Sequence, residues 1–155
     1  MNRAHIAATL VLLAAAALAF PSYTGYSGAP GTTEKCASTC HGSSGGTIEA
    51  IGLPAAYELR QTYIISVVHR GGSSISNFNA SVRTASGSHT TGTVTAGFRT
   101  STYSTGNEPN GAHLSSNNQN SCTFRWQAPD SSVGDLKLYV AGHQDGQSGV
   151  NTISS

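Results

Sequence analysis

Two cysteines and a histidine stand close together in the stretch Cys36-Ala37-Ser38-Thr39-Cys40-His41. A cysteine thiol can add to a vinyl group of a porphyrin, and a histidine directly after the second cysteine can bind the iron. The pattern is typical of covalent haem attachment, although the usual spacing leaves two residues between the cysteines and this chain has three. We therefore predict a haem c that is bound through Cys36 and Cys40, with His41 as an axial ligand of the iron.

The third cysteine, Cys122, leaves two further assignments open. A disulfide between Cys122 and Cys36 would leave Cys40 as the single thiol for the haem, with His41 still beside it. A structural zinc site built from Cys36, Cys40, His41 and one more ligand is the other alternative, because thiolate and imidazole groups suit Zn2+. Export into an oxidising compartment disfavours free zinc thiolates.

Residues 1–19 have the pattern of a secretory signal peptide. Arg3 gives a short basic start, residues 6–17 are an almost unbroken Ala/Leu/Val run, and Ala17-Leu18-Ala19 offers the small residues that a signal peptidase needs. The apolar run is too short for a membrane span. We expect cleavage after Ala19 and a secreted protein, extracellular or periplasmic, that has no membrane span.

The composition argues against several classes of function. Only 10% of the residues are charged and the formal net charge is +1, so neither nucleic acid nor an acidic membrane surface is indicated as a partner. The sequence has no recognisable Ser/His/Asp arrangement, paired carboxylate motif or phosphate-binding loop, and we predict that the protein is not an enzyme. Its polar character comes from Ser, Thr, Asn and Gly, a composition that tolerates close packing between copies.

Five stretches rich in β-branched and aromatic residues indicate strands, separated by Gly-, Pro- and Ser-rich turns: residues 59–69, 75–84, 92–99, 122–127 and 135–141. Residues 104–120 are polar and lack periodicity, which predicts a long loop. No segment after the predicted signal peptide has a helical period. The sequence therefore predicts an all-β fold, an Ig-like β-sandwich over residues 59–155 with an extended N-terminal haem-binding arm over residues 20–58, together one domain.

Four motifs occur in an order that resembles one family: Tyr26-Ser27-Gly28-Ala29-Pro30-Gly31 before the cysteines, then Gln61-Thr62-Tyr63, Phe124-Arg125-Trp126-Gln127-Ala128-Pro129 and Leu138-Tyr139-Val140-Ala141-Gly142. They span nearly the whole mature chain and resemble the reelin-like bacterial domains of the choice-of-anchor type. The resemblance implies an exported Ig-like sandwich with a c-type haem motif near its N-terminus. This chain departs from that motif by the additional residue between the cysteines.

The second axial ligand of the iron cannot be a methionine of the mature chain, because the only methionine is Met1. Four histidines besides His41 follow the predicted signal peptide: His69, His89, His113 and His143. We place His113 first, because it lies in the predicted loop before the Phe124 strand, where the resemblance implies a histidine. His69, at the end of a predicted strand, is the second choice. His89 and His143 are predicted to be solvated.

These observations predict an exported monohaem c-type cytochrome that transfers electrons outside the cytoplasm. Its partner would be another redox protein or other copies of the chain, because a single haem conducts only when another centre lies nearby. The low charge and the Gly/Ser/Thr-rich sequence permit a self-assembling filament. The alternative is a non-redox adhesion or structural module, an Ig-like domain whose cysteines form a disulfide.

Overall fold

Eight β-strands form the secondary structure of a computed structural model that describes residues 23–32, 47–87 and 89–144. They are β1 (Ile48–Ile51), β2 (Thr62–His69), β3 (Ile75–Thr84), β4 (Thr93–Ala96), β5 (Thr100–Tyr103), β6 (Gly111–Leu114), β7 (Ser121–Gln127) and β8 (Leu136–Gln144). The first sheet has the order β1-β2-β7-β4 and the second β5-β6-β3-β8, with antiparallel neighbours throughout. The predicted all-β sandwich is confirmed. Among the described residues, no helix has the length and apolar character needed to cross a membrane.

In the first sheet, buried and exposed side chains alternate along β2 and β7. In β2 the side chains of Ile65 and Val67 are fully buried, whereas Ile64, directly before Ile65 and on the opposite face, is 60% exposed. β7 pairs with β2 so that Phe124 lies opposite Ile65 and Cys122 opposite Val67. Burial of an aliphatic or aromatic side chain of this size stabilises a fold by roughly 1.5–3 kcal/mol. The inward positions of these two strands are therefore a main source of stability.

Trp126, the only tryptophan of the chain, closes one end of the core. Its ring stacks on Tyr63 with centroids 5.9 Å apart and meets the edge of Tyr57 at 6.0 Å. The buried indole N–H donates a hydrogen bond of 2.9 Å to the carbonyl oxygen of Thr91, which satisfies the polar atom of this residue. Tyr57 also donates through its hydroxyl to the carbonyl oxygen of Gly134, which ties the 132–135 loop to this end of the sandwich.

β3, in the second sheet, is buried on both faces. Its inward residues Phe78, Ala80 and Val82 belong to the core, as the alternating pattern predicts. The residues between them are polar, and an outer strand face of this kind would normally meet water. They are nevertheless buried: Asn77, Asn79, Ser81 and Arg83. Residues 23–32, which we call the N-terminal segment, lie across this outer face of β3.

The structure adds three strands to those predicted from the sequence, β1, β5 and β6, and it extends another. β1 lies inside residues 20–58, which the sequence predicts as an extended arm, and it pairs with β2. β6 lies inside residues 104–120, so the prediction of one continuous loop there is wrong. β8 continues to Gln144, three residues beyond the predicted end. β1 and β6 each have only four residues, and alternation over four residues is too short to separate a strand from a loop.

Candidate functional site

The predicted haem motif lies outside the described residues. The roles of Cys36, Cys40 and His41 therefore stay predictions, and the structure bears on them through the residues on either side. Thr32 and Thr47 are the described residues that flank the motif. Thr32 is bonded within its own turn, to Ala29, and Thr47 is bonded to Arg70, which follows the predicted ligand His69.

Asn79 holds the N-terminal segment against the second sheet. Its side-chain oxygen accepts the N–H of Gly25 at 2.9 Å, and its side-chain nitrogen donates to the carbonyl oxygen of Tyr23 at 3.0 Å. The amide nitrogen of Asn77 donates to the same carbonyl oxygen at 3.1 Å. These bonds substitute side-chain amides for the backbone partners that a neighbouring strand would provide. They fix where the chain starts its path toward the motif.

Further along, the N-terminal segment meets a buried carboxylate. The N–H of Ser27 donates to Glu108, and nitrogen and oxygen are 3.3 Å apart. Both residues are fully buried. Pro30 then packs against Gly87, just beyond the end of β3, where the proline ring occupies the place that a Cβ would need. Thr32 ends the described segment in a turn in which its N–H and hydroxyl both donate to Ala29.

Burial dominates the electrostatics beneath the segment. It raises the pKa of Glu108 above its ordinary value, against the opposing effects of the hydrogen bonds from Ser27 and the positive charge of Arg83. Burial also raises the pKa of Tyr103, and the neighbouring Glu108 raises it further, so the phenol stays protonated. Arg83 is buried as well, and it donates to Ser81 and to the carbonyl oxygen of Asn107.

Residue 108 gives a test of this polar layer. An acid whose pKa is raised in the folded state binds its proton more tightly there, so its contribution to stability is complete below the unfolded pKa, 4.5, and is lost as the pH rises through the folded pKa. We expect Glu108→Gln, which keeps an acceptor for Ser27, to flatten the fall in stability above pH 4.5. Urea midpoints measured from pH 4 to pH 8 check this.

Glu58→Gln is the matched control, because Glu58 is exposed and its removal makes the same change in net charge. The control is expected to keep the pH profile of the unmodified protein. A profile for Glu108→Gln that is superimposable on the control would contradict the assignment of this pH dependence to Glu108.

His113, the first choice for the second axial ligand, lies on the same face as the N-terminal segment. It is on strand β6 rather than in a loop, opposite Asn79 of β3 and Ser101 of β5. Its half-buried imidazole meets the ring of Tyr103 edge-on, with centroids 5.8 Å apart. Gly111 permits this arrangement, because a Cβ there would overlap the Tyr103 ring. The structure thus brings together His113 and the segment that precedes the motif.

His69, the second choice, lies on the other side of the motif in the sequence. It ends β2 as predicted, on the inward side shared with Val67, and pairs with Ile48. Its Nδ1 is buried and has no hydrogen-bond partner among the described residues. The next residue, Arg70, donates its N–H to the carbonyl oxygen of Thr47 at 2.7 Å. His69 is therefore close to the point where the described chain resumes after His41.

The two remaining histidines differ from each other. His89 is exposed, as predicted. His143 was predicted to be solvated, and that prediction is wrong: it is 6% exposed on β8 and pairs with Asn77. The reason is that β8 continues past Gly142, so His143 is part of a sheet and not of a glycine-rich tail.

Cys122 is placed for packing and not for cross-linking. It is fully buried and free, and its thiol is 3.7 Å from the carbonyl oxygen of Val67. Burial raises the pKa of its thiol to about 12, which suppresses the reactive thiolate. The burial of Cys122 counts against the alternative in which it pairs with Cys36, but Cys36 lies outside the described residues, so its role stays a prediction.

Two other features of the described residues bear on where a metal ion or ligand could bind. No group of three or more His, Cys, Asp or Glu side chains in residues 23–32, 47–87 and 89–144 is arranged to hold a metal ion. A groove of about 860 Å3 lies between the 53–59 loop and the start of β8, lined by Leu53, Tyr57, Leu59 and Leu136 among others. Its described lining contains no histidine or cysteine, so it adds no iron ligand.

Comparison with known proteins identifies the fold. The structure superimposes on two crystal structures of the human F-spondin reeler domain with TM-scores of 0.58 and 0.56, at 16% sequence identity. These matches cover 74% of this chain and 92% and 93% of the neighbours. The Reelin-N domain of F-spondin matches with a TM-score of 0.54 and 17% identity, over 74% of this chain and 86% of that one. No family model and no curated protein matches the sequence. The chain therefore has a reelin-like β-sandwich fold.

Proposed function

We propose that the protein is an exported monohaem c-type cytochrome that transfers electrons. Cys36 and Cys40 would bind the porphyrin, and His41 and His113 would bind the iron from its two sides. When bound, the haem would supply a one-electron ferric/ferrous couple. Histidine in place of methionine at the second position favours a lower reduction potential than that of Met/His cytochromes.

One structural observation supports the proposal in addition to the sequence motif. The N-terminal segment, which ends four residues before Cys36, is held on the sheet face that also carries His113. The same residue, Asn79, binds the segment and lies opposite His113 in the sheet. Because the segment is fixed on this face, the motif can lie no farther from His113 than the intervening chain can extend.

The distances that the chain can span are compatible with this ligand. The distance along β3 from Asn79 to its last residue, Thr84, is roughly 17 Å at the usual rise per residue of a strand. The eight residues from Thr32 to Cys40 can extend over roughly 28 Å. The N-terminal segment reaches the end of β3, where Pro30 packs on Gly87. A haem bound to the motif is therefore within reach of His113.

The test is the visible spectrum of natively exported protein. We expect a reduced-minus-oxidised difference spectrum with a c-type haem band that survives acid-acetone extraction. Cys40→Ala should abolish most of the covalent haem, whereas the matched variant Cys122→Ala should retain it, because Cys122 belongs to the core. The lack of any extraction-resistant haem band would overturn the proposal.

The second ligand is tested separately. We expect His113→Ala to convert a low-spin spectrum into a high-spin one without loss of covalent haem, because one axial nitrogen is removed. His69→Ala is the comparison variant and is expected to leave the spin state unchanged. A shift with His69→Ala and none with His113→Ala would assign the ligand to His69 instead.

The rival function, a non-redox adhesion or structural module, is favoured by the fold alone. The solved structures of similar fold are reeler domains of F-spondin. In that case Cys36 and Cys40 would be oxidised to a disulfide in exported protein that contains no haem. Intact mass spectrometry separates the two, because a covalent haem adds its own mass and a disulfide removes two hydrogens.

A further inference from the structure

The sandwich core is complete without the N-terminal segment. The cluster of buried apolar residues takes its members from positions between Ile48 and Ala128, and from Leu138 and Val140 on β8. None of them comes from residues 23–32. Ala29 of the segment is buried, yet it lies outside that cluster. The two sheets can therefore close on each other whether or not the segment occupies the outer face of β3.

The face beneath the segment is a specific receptor for it. Side chains of β3 and of the β5–β6 loop bind the backbone of the segment: Asn79 binds Gly25 and Tyr23, and Glu108 binds Ser27. With the segment removed, Asn79 and Glu108 would lose these bonds and depend on water or another chain for partners. Gly25 has little room to spare, since a Cβ there would meet the side chain of Thr105.

Every copy of the protein carries both the segment and its receptor. The fourteen residues 33–46 separate Thr32 from Thr47, and that length of chain can extend over roughly 45–50 Å. A segment that leaves its own sheet can thus reach the same face of a neighbouring copy and form identical bonds. In docking of this kind the segment of one copy binds the outer face of β3 in another, so the two copies contribute different surfaces. Each added copy therefore offers a free receptor to the next.

We propose that residues 23–32 exchange between copies, so that the N-terminal segment of one protein docks on the outer face of β3 in a second copy. The partner is another copy of this chain, and the surface is the one formed by Asn77, Asn79, Glu108 and Thr105. The resulting contact is head-to-tail and supports a linear assembly. It does not depend on the haem, although it would place the motif of one copy next to His113 of another.

Cysteine trapping of two variants tests the exchange. The ideal Cβ of Gly25 lies 3.7 Å from the Cβ of Thr105, within the range of roughly 3.5–4.5 Å that a disulfide requires. Gly25→Cys and Thr105→Cys are prepared as separate exported proteins, mixed, and incubated at high concentration in a glutathione redox buffer. Neither variant can form this bond within one chain, so a heterodimer on a non-reducing gel reports docking between copies.

The controls separate specific docking from random collision. A mixture of Gly25→Cys with Ser132→Cys, an exposed position on the 132–135 loop, should give at least tenfold less heterodimer. Adding Asn79→Leu to the Thr105→Cys protein should reduce the heterodimer to that same background. In one chain, the double variant Gly25→Cys/Thr105→Cys should form an internal disulfide, which verifies that a cysteine at position 25, where φ is +90°, still docks.

Two results would overturn the proposal. The internal disulfide without any heterodimer above the Ser132→Cys background would mean that the segment docks only on its own sheet. Failure of the double variant to form the internal disulfide, while hydrogen exchange of the Gly25→Cys protein still shows residues 23–32 docked, would mean that the docking geometry itself is wrong. If the haem test fails, the internal disulfide and the heterodimer are still expected. The exchange of the segment and the cytochrome function are therefore tested independently.

Discussion

Replacing Asn79 with Leu is expected to release the N-terminal segment and to lower the free energy of unfolding by about 2–4 kcal/mol. Asn79 is fully buried, and both ends of its amide bind backbone groups of the segment. Leucine has a similar size but can form neither bond. The N–H of Gly25 must then stay unpaired and the carbonyl of Tyr23 keeps only its bond from Asn77, or the segment must leave the sheet and bind water.

Hydrogen exchange measured by mass spectrometry distinguishes release from a general loss of stability. Peptides that cover residues 23–32 should lose protection in Asn79→Leu, while peptides from β2 and β7 keep theirs. Asn120→Leu is the matched control, because Asn120 is exposed. Protection of residues 23–32 that equals that of the control would show that Asn79 does not hold the segment.

The second large effect is expected one position earlier on the same strand. Phe78→Ala should lower the free energy of unfolding by about 3–5 kcal/mol, the usual cost of removing a phenyl ring from a close-packed core. Phe78 is fully buried and stacks on Phe124 across the two sheets, with centroids 6.4 Å apart. Unlike Asn79→Leu, this change should speed exchange throughout the sandwich, because it weakens the core that both sheets share.

Denaturation by urea, followed through the fluorescence of Trp126, measures the effect of Phe78→Ala. Phe98→Ala is the matched control, because Phe98 is 56% exposed. The guanidinium carbon of Arg99 lies over its ring, 4.5 Å from the centroid. Its removal should cost no more than about 1 kcal/mol. Equal losses in the two variants would contradict the placement of Phe78 in the core.

The strands with strong alternation could be predicted from the sequence, and the short ones could not. β2 and β7 have a clear period of two, and their inward residues, such as Val67 and Phe124, are buried as expected. β6 contributes only Ala112 and Leu114 to the core, so its pattern is no stronger than chance. It pairs with its sequence neighbour β5, which has only four residues itself, and with β3, which is distant in the sequence.

The chemistry of the candidate site stays a prediction, and the surroundings of its described residues could not be predicted from the sequence. The types and spacing of Cys36, Cys40 and His41 indicate haem attachment, and the structure does not describe them. His113 could be proposed from the sequence, but its neighbourhood could not. Glu108 and Asn79 gave no signal either, because their bonds to the N-terminal segment join residues 81 and 54 positions apart. Only the folded chain brings such groups together.

The two buried faces of β3 have a consequence for how freely this strand can vary. By its sequence, Ile75-Ser76-Asn77-Phe78-Asn79-Ala80 resembles a half-exposed strand, in which every second position would accept almost any polar residue. In this protein the polar positions are as constrained as the apolar ones, because Asn79 and its neighbours are covered by the N-terminal segment. Substitution along β3 is therefore restricted on both sides, and because Asn79 binds backbone groups of Tyr23 and Gly25, a side-chain change in the segment would not restore the bonds lost with Asn79.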